Sequence, residues 1–171
     1  MKHAFAFLFL YLPLVGVAQT LTIESPARPR NTVYLEVLGS GGAYSLNYER
    51  FLFLRQKQAY GFRVGSSYFG GQKAIALIGE LFALAGKGNH HGDFGIGLTR
   101  VNQQSFGFYA SGSTARYTTL YAVPRVGYRY QKPTGGLMVR VGFTPFIKMT
   151  KRVDSTSHIS SWFGLSIGYN F

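Results

Sequence analysis

The chain has 171 residues, enough for one domain, and no cysteine, which excludes disulfides, thiolate nucleophiles and cysteine-held metals. Only 14% of it is charged against 46% hydrophobic and 16% aromatic, which is little charge for a soluble domain. The formal charge is +12, yet the basic residues form neither a dense cluster nor a basic helix. A nucleic-acid partner is therefore not expected, whereas anionic lipid headgroups or lipopolysaccharide phosphates would suit such a surface.

The first eighteen residues have the parts of a secretory signal. Lys2 and His3 start it, Ala4 to Val15 is apolar apart from Pro13, and Gly16-Val17-Ala18 places small residues before a cleavage point. The mature chain is expected to begin at Gln19. The apolar run falls short of the about 20 residues of a spanning helix. The most apolar later segment, Ala74 to Ala85, is shorter and is interrupted by Glu80. An exported chain of this kind is secreted, periplasmic or a barrel. Residues 19–31, with Pro26 and Pro29 beside Arg28 and Arg30, read as an extended periplasmic leader, and residues 32–171 as one domain.

From Thr32 onward the pattern is alternation, which predicts strands with two unlike faces. In chain order the segments fall near 32–38, 43–53, 60–68, 74–84, 93–100, 117–130, 137–147 and 159–171. The fourth is apolar on both faces, so its parity is open. The last is the most regular: Phe163, Leu165, Ile167, Tyr169 and Phe171 alternate with Gly164, Ser166, Gly168 and Asn170, and Ser161 breaks the pattern. Eight segments of roughly ten residues match tilted strands that cross a bilayer. With both termini periplasmic, the odd-numbered connections are extracellular. The two longest, Asn102 to Arg116 and Lys148 to His158, are the fifth and seventh. The sixth, Gln131 to Gly136, reads as a tight turn with Pro133, Gly135 and Gly136.

Alternation alone does not separate a membrane barrel from a soluble lipocalin-like carrier, and three features favour the first. The polar face is rich in glycine (Gly61, Gly65, Gly95, Gly97, Gly127, Gly142, Gly164, Gly168), as the crowded interior of a small barrel requires. Its mid-strand cations are Arg63, Arg125, Arg129 and Arg140, while the lysines sit at connections. The apolar face carries Tyr44, Tyr60, Tyr68, Tyr128, Tyr130 and Tyr169 near strand ends, as interfacial girdles do. The same parity puts Glu36, Glu49, Glu80 and Asp93 beside those arginines. The expectation is a neutral, ion-paired lumen, closed and not porous, with a path gated by pairs that switch partners as the alternative. Pro124 and Pro145 fall inside strands, where bulges or earlier strand ends would be needed. Arg50 and Arg100 fall on the apolar parity at strand ends, where they can snorkel.

Catalytic signals are sparse. His158 and Ser160, with Asp154 nearby, form a superficial match to a lipid-A deacylase, an alternative function, but no carboxylate follows them in the strand. His90-His91 point to opposite faces and make a poor chelate. No cofactor, metal site or phosphate loop is expected.

With these residues set out, the chain resembles small outer-membrane β-barrel proteins of the OmpA/OmpX type, of the kind found in Bacteroidetes-like bacteria. The likeness rests on the Gly16-Val17-Ala18-Gln19 junction, Tyr44 to Arg50, Val126-Gly127-Tyr128-Arg129-Tyr130 and the ending Ile167-Gly168-Tyr169-Asn170-Phe171. It implies an all-β, eight-stranded antiparallel up-and-down transmembrane β-barrel in the outer membrane of a Gram-negative bacterium. With catalytic signals sparse, the expected function is that of a non-enzymatic barrel, a monomer amid outer-membrane lipids and lipopolysaccharide that acts through its surface loops or as membrane structure, with any surface ligand left open. The terminal aromatics Tyr169 and Phe171 look like the assembly signal read by barrel-assembly machinery.

Overall fold

The computed structural model describes residues 28–70, 73–106, 114–149 and 159–171. The expected signal segment and most of the expected leader lie outside them, as do Asp154 and His158, the residues weighed for the alternative deacylase reading. All the elements described are strands. They are β1 (Asn31–Gly39), β2 (Gly42–Leu54), β3 (Gln58–Phe69), β4 (Ala74–Lys87), β5 (His90–Phe106), β6 (Thr114–Gln131), β7 (Gly136–Phe143), β8 (Phe146–Lys148), β9 (Ile159–Ser160) and β10 (Phe163–Asn170). β7 with β8, and β9 with β10, are the two halves of the seventh and eighth barrel strands. Each barrel strand pairs antiparallel with the next, and β1 pairs with β10, so the sheet closes on itself. Closure leaves no free edge along the wall. Asn31 and Phe171 exchange backbone hydrogen bonds of 2.9 and 2.8 Å, so the two ends of the barrel strands lie side by side at one mouth, here called the termini end.

The alternation sets which way each side chain points. Leu35, Leu46, Leu81, Ile96 and Ile167 face outward, Ile96 being 68% exposed. Their intervening neighbours are buried inside. This excludes the lipocalin-like arrangement, in which the apolar face lines the cavity. The fourth segment, open in the sequence, now has a parity: Ile78, Glu80, Phe82 and Leu84 are buried, and Ile75, Leu77 and Leu81 face out. At the termini end Phe51, Ala59, Phe82 and Leu84 form an apolar cluster, with Phe51 and Phe82 edge to face at 5.3 Å.

Two strands run further than the sequence pattern implied. The expected fifth connection, 102–116, is largely ladder, because β5 and β6 stay paired to Phe106 opposite Thr114. Apolar alternation stops near Val101, but hydrogen-bond pairing continues beyond it through polar residues. The tight sixth connection turns through Gly135 and Gly136 at φ +94° and +99°, a region that favours glycine.

The prolines are accommodated without a bulge. Val126 faces Phe143 and Ala122 faces Ile147, so one register holds across an interruption between β6 and its neighbours β7 and β8. That register sets Pro124 directly opposite Pro145. Neither has an N–H to give, and the ladder is missing where both would need one. The interruption extends to the next strand: Phe143 faces Phe163 and Phe146 faces Ser160, which brings Ser161 opposite Pro145. The residue that breaks the parity of the last segment therefore lies in the same seam.

Candidate functional site

All eight interior charges come together in one buried layer. Glu36 comes from β1, Glu49 from β2, Arg63 from β3, Glu80 from β4, Asp93 from β5, Arg125 and Arg129 from β6, and Arg140 from β7. None is more than 5% exposed. Six of them form an alternating ring. Arg63 contacts Glu36 closely and Glu80 at 3.0 Å; Glu80 reaches Arg125 at 2.6 Å; Arg125 reaches Asp93 at 3.1 Å; Asp93 lies 3.7 Å from Arg140; and Arg140 returns to Glu36 at 3.0 Å. Glu49 extends the ring, touching Arg140 at 2.8 Å and Arg129 closely. This last link resolves a conflict in the sheet. Arg129 and Arg140 are directly opposite in the β6–β7 ladder, where like charges repel, and the carboxylate of Glu49 sits between them.

Neutral groups complete the layer. Arg63 Nε and Nη2 donate to Asn47 Oδ1 at 3.0 and 2.8 Å, and Nη1 donates to Ser40 Oγ at 3.2 Å. Tyr34 donates its hydroxyl to Glu49 at 2.7 Å, and its ring lies under the guanidiniums of Arg140 and Arg63 at 4.6 and 5.5 Å. Ser166 of β10 accepts from Arg140 at 3.1 Å, so every barrel strand reaches the network. The side chains of Arg125 and Asp93 are the exception. They lie within ion-pair distance, but their nitrogens and oxygens make no hydrogen bond of good geometry. Proximity alone still gives Coulomb attraction, so we regard this corner as paired but loosely fixed.

The interior glycines are slots for this layer. A Cβ on Gly39 would strike the Glu36 carboxyl, one on Gly65 would strike Asn47, and one on Gly95 would strike Glu80. On Gly127 it would meet Gly142 Cα at 2.7 Å. Sequence reasoning missed Tyr34, Asn47 and the hydroxyl partners Thr32, Ser40 and Ser166. Tyr34 shares the parity of Glu36 and Asn47 that of Glu49, so the signal was present, but an aromatic residue near a strand end also reads as a girdle residue.

At the termini end the interior opens into a pocket of about 80 Å³, with Phe51, Leu54 and Leu84 in its apolar lining and Arg28, Arg55 and Lys132 among its cations. At the far rim Tyr44, Tyr68, Phe69 and Trp162 border an open depression. The other sequence candidates lie apart from the charges. Tyr169 and Phe171 face outward at 61% and 54% exposure. Ser160 is exposed in β9 opposite Phe146, and the described carboxylates are all engaged in the interior layer. His90 contacts Tyr128 at 2.5 Å and packs against Tyr130, while its neighbour His91 lines the mouth. Among the described residues no group of His, Asp and Glu is arranged to hold a metal.

The chain is thus a closed eight-stranded antiparallel barrel with an apolar exterior and an ionic interior. Among solved structures the chain matches the N-terminal β-barrel domain of Pseudomonas aeruginosa OprF, with a TM-score of 0.57 over 84% of this chain and 100% of that one. Identity is 16%, so the likeness is one of fold. No family model matches the chain. No curated protein matches it either.

Proposed function

We propose that the protein is a non-enzymatic integral outer-membrane β-barrel of a Gram-negative bacterium, exported by its N-terminal signal, with the termini end of the barrel facing the periplasm. The observation that carries this reading is the inverted distribution of polarity. Leu35, Leu81, Ile96 and Phe163 are exposed, and Arg63, Arg129 and Arg140 are buried. In water such an exterior would associate, whereas in a bilayer it is the favourable face. The ionic layer supports a sealed lumen. Four acids against four arginines leave no net charge to attract a permeating ion, and each group has ion-pair partners within 4 Å, although the Arg125–Asp93 corner is only loosely fixed.

On this reading the protein acts through its outer connections or as a structural part of the membrane. Its neighbours are lipids and lipopolysaccharide, and the assembly machinery reads Tyr169 and Phe171 during biogenesis. A closed wall without edges suits a monomer. The test is fractionation of cells that express the full chain. The protein is expected to stay in the outer-membrane pellet through a carbonate wash and to migrate faster in a denaturing gel before heating than after. Release by the wash would overturn the membrane reading.

A further inference from the structure

Every acidic side chain of the described residues is spent in the interior layer. The outer surface of those residues carries cations and no acidic side chain. At the termini end these cations flank or occupy every described turn, and Arg28, Arg55, Lys57 and Lys132 also border the pocket at the mouth. Arg28 and Arg30 precede β1, and Arg50 points outward near the foot of β2. Arg55 and Lys57 form the β2–β3 turn, Lys87 closes β4, and Lys132 begins the β6–β7 turn. All seven side chains are exposed. Each of the turns at this end is thus flanked or occupied by a cation. Next to the collar lies an outward belt of aromatics, among them Phe53, Tyr60, Tyr128 and Tyr169.

We propose that this collar binds the anionic headgroups of phospholipids in the leaflet at the termini end. The proposal rests on the membrane reading above and adds a partner to it. The distribution distinguishes a lipid from a soluble polyanion. A nucleic acid or acidic polymer needs a one-sided patch or a groove, whereas a lipid annulus meets the barrel from all sides. The collar sits beside the aromatic belt, at the level where headgroups lie. Guanidiniums such as Arg50 and Arg55 suit bidentate capture of a phosphate, and the lysines add point charges. Arg50 projects on the apolar parity, where its stem can follow the wall while its head reaches the phosphate.

The test uses the full protein reconstituted into phosphatidylcholine vesicles that contain a minor fraction of phosphatidylglycerol. Spin-labelled forms of the two lipids then compete for the barrel wall. The expected result is a preference for phosphatidylglycerol of roughly fivefold or more, which declines with salt. Neutralising the collar with Arg28→Gln, Arg30→Gln, Arg50→Gln, Arg55→Gln, Lys57→Gln, Lys87→Gln and Lys132→Gln together abolishes the preference. The pair Lys73→Gln and Arg100→Gln, near the other end, leaves it in place. Equal association of the two lipids with the unaltered protein overturns the proposal, as does a preference that survives salt or the collar substitutions. Were the collar variant to misfold, the salt series on the unaltered protein decides. Failure to insert into any vesicle would instead overturn the membrane reading itself.

Discussion

Arg140 holds the most demanding place in the interior, since it bonds Glu36, Glu49 and Ser166 and neighbours Asp93. Arg140→Met keeps the length of the side chain and leaves the buried layer one charge out of balance. The expected cost is about 3–5 kcal/mol in urea unfolding of the vesicle-embedded protein. Arg125→Met should cost less, because the guanidinium of Arg125 is near its acids without being aligned to them. A reversed order would contradict the network as drawn. Glycines give a second residue-level contrast. Gly127→Ala must push against the neighbouring backbone and is expected to cost about 1–3 kcal/mol. Gly79→Ala meets nothing within 4 Å and should be close to neutral by the same measurement.

At the scale of elements, the proline seam divides the seventh and eighth strands. β8 has 3 residues and β9 has 2, and both lie beyond the interruption. β7 and β10 have 8 each, and they pair along their whole length. Hydrogen exchange by NMR is expected to show residues 146–149 and 159–162 exchanging faster than 136–143 and 163–170. Uniform protection along these strands would mean that the seam is closed in solution. How the prolines are accommodated was not legible in the sequence. Each alone reads as a fault in a strand, and only the register, a property of two strands at once, shows them opposite each other. The parity of β4 was hidden for a different reason: Phe82 and Leu84 are as apolar as the outward Leu77 and Leu81. The bounds of β5 and β6 were underestimated because pairing outlasts the apolar pattern.

At the scale of the whole molecule, period-two alternation put Glu36, Arg63, Asp93 and Arg140 on one face, and the glycines and arginines of that face marked it as the inner one, because closing the wall buries one parity of every strand. Which carboxylate meets which arginine could not. Arg129 is opposite Arg140 in the ladder, and its partner Glu49 reaches it across the lumen from β2, a contact set by barrel closure and not by sequence spacing. The resulting layer fills the middle of the barrel with compensating charges, and on the proposed membrane reading it seals the lumen. Conductance of the purified, folded protein in planar bilayers tests that claim most directly. The account predicts a silent membrane, with no steady channels at moderate voltage. Long-lived, large, ohmic channels from the unaltered protein would contradict it.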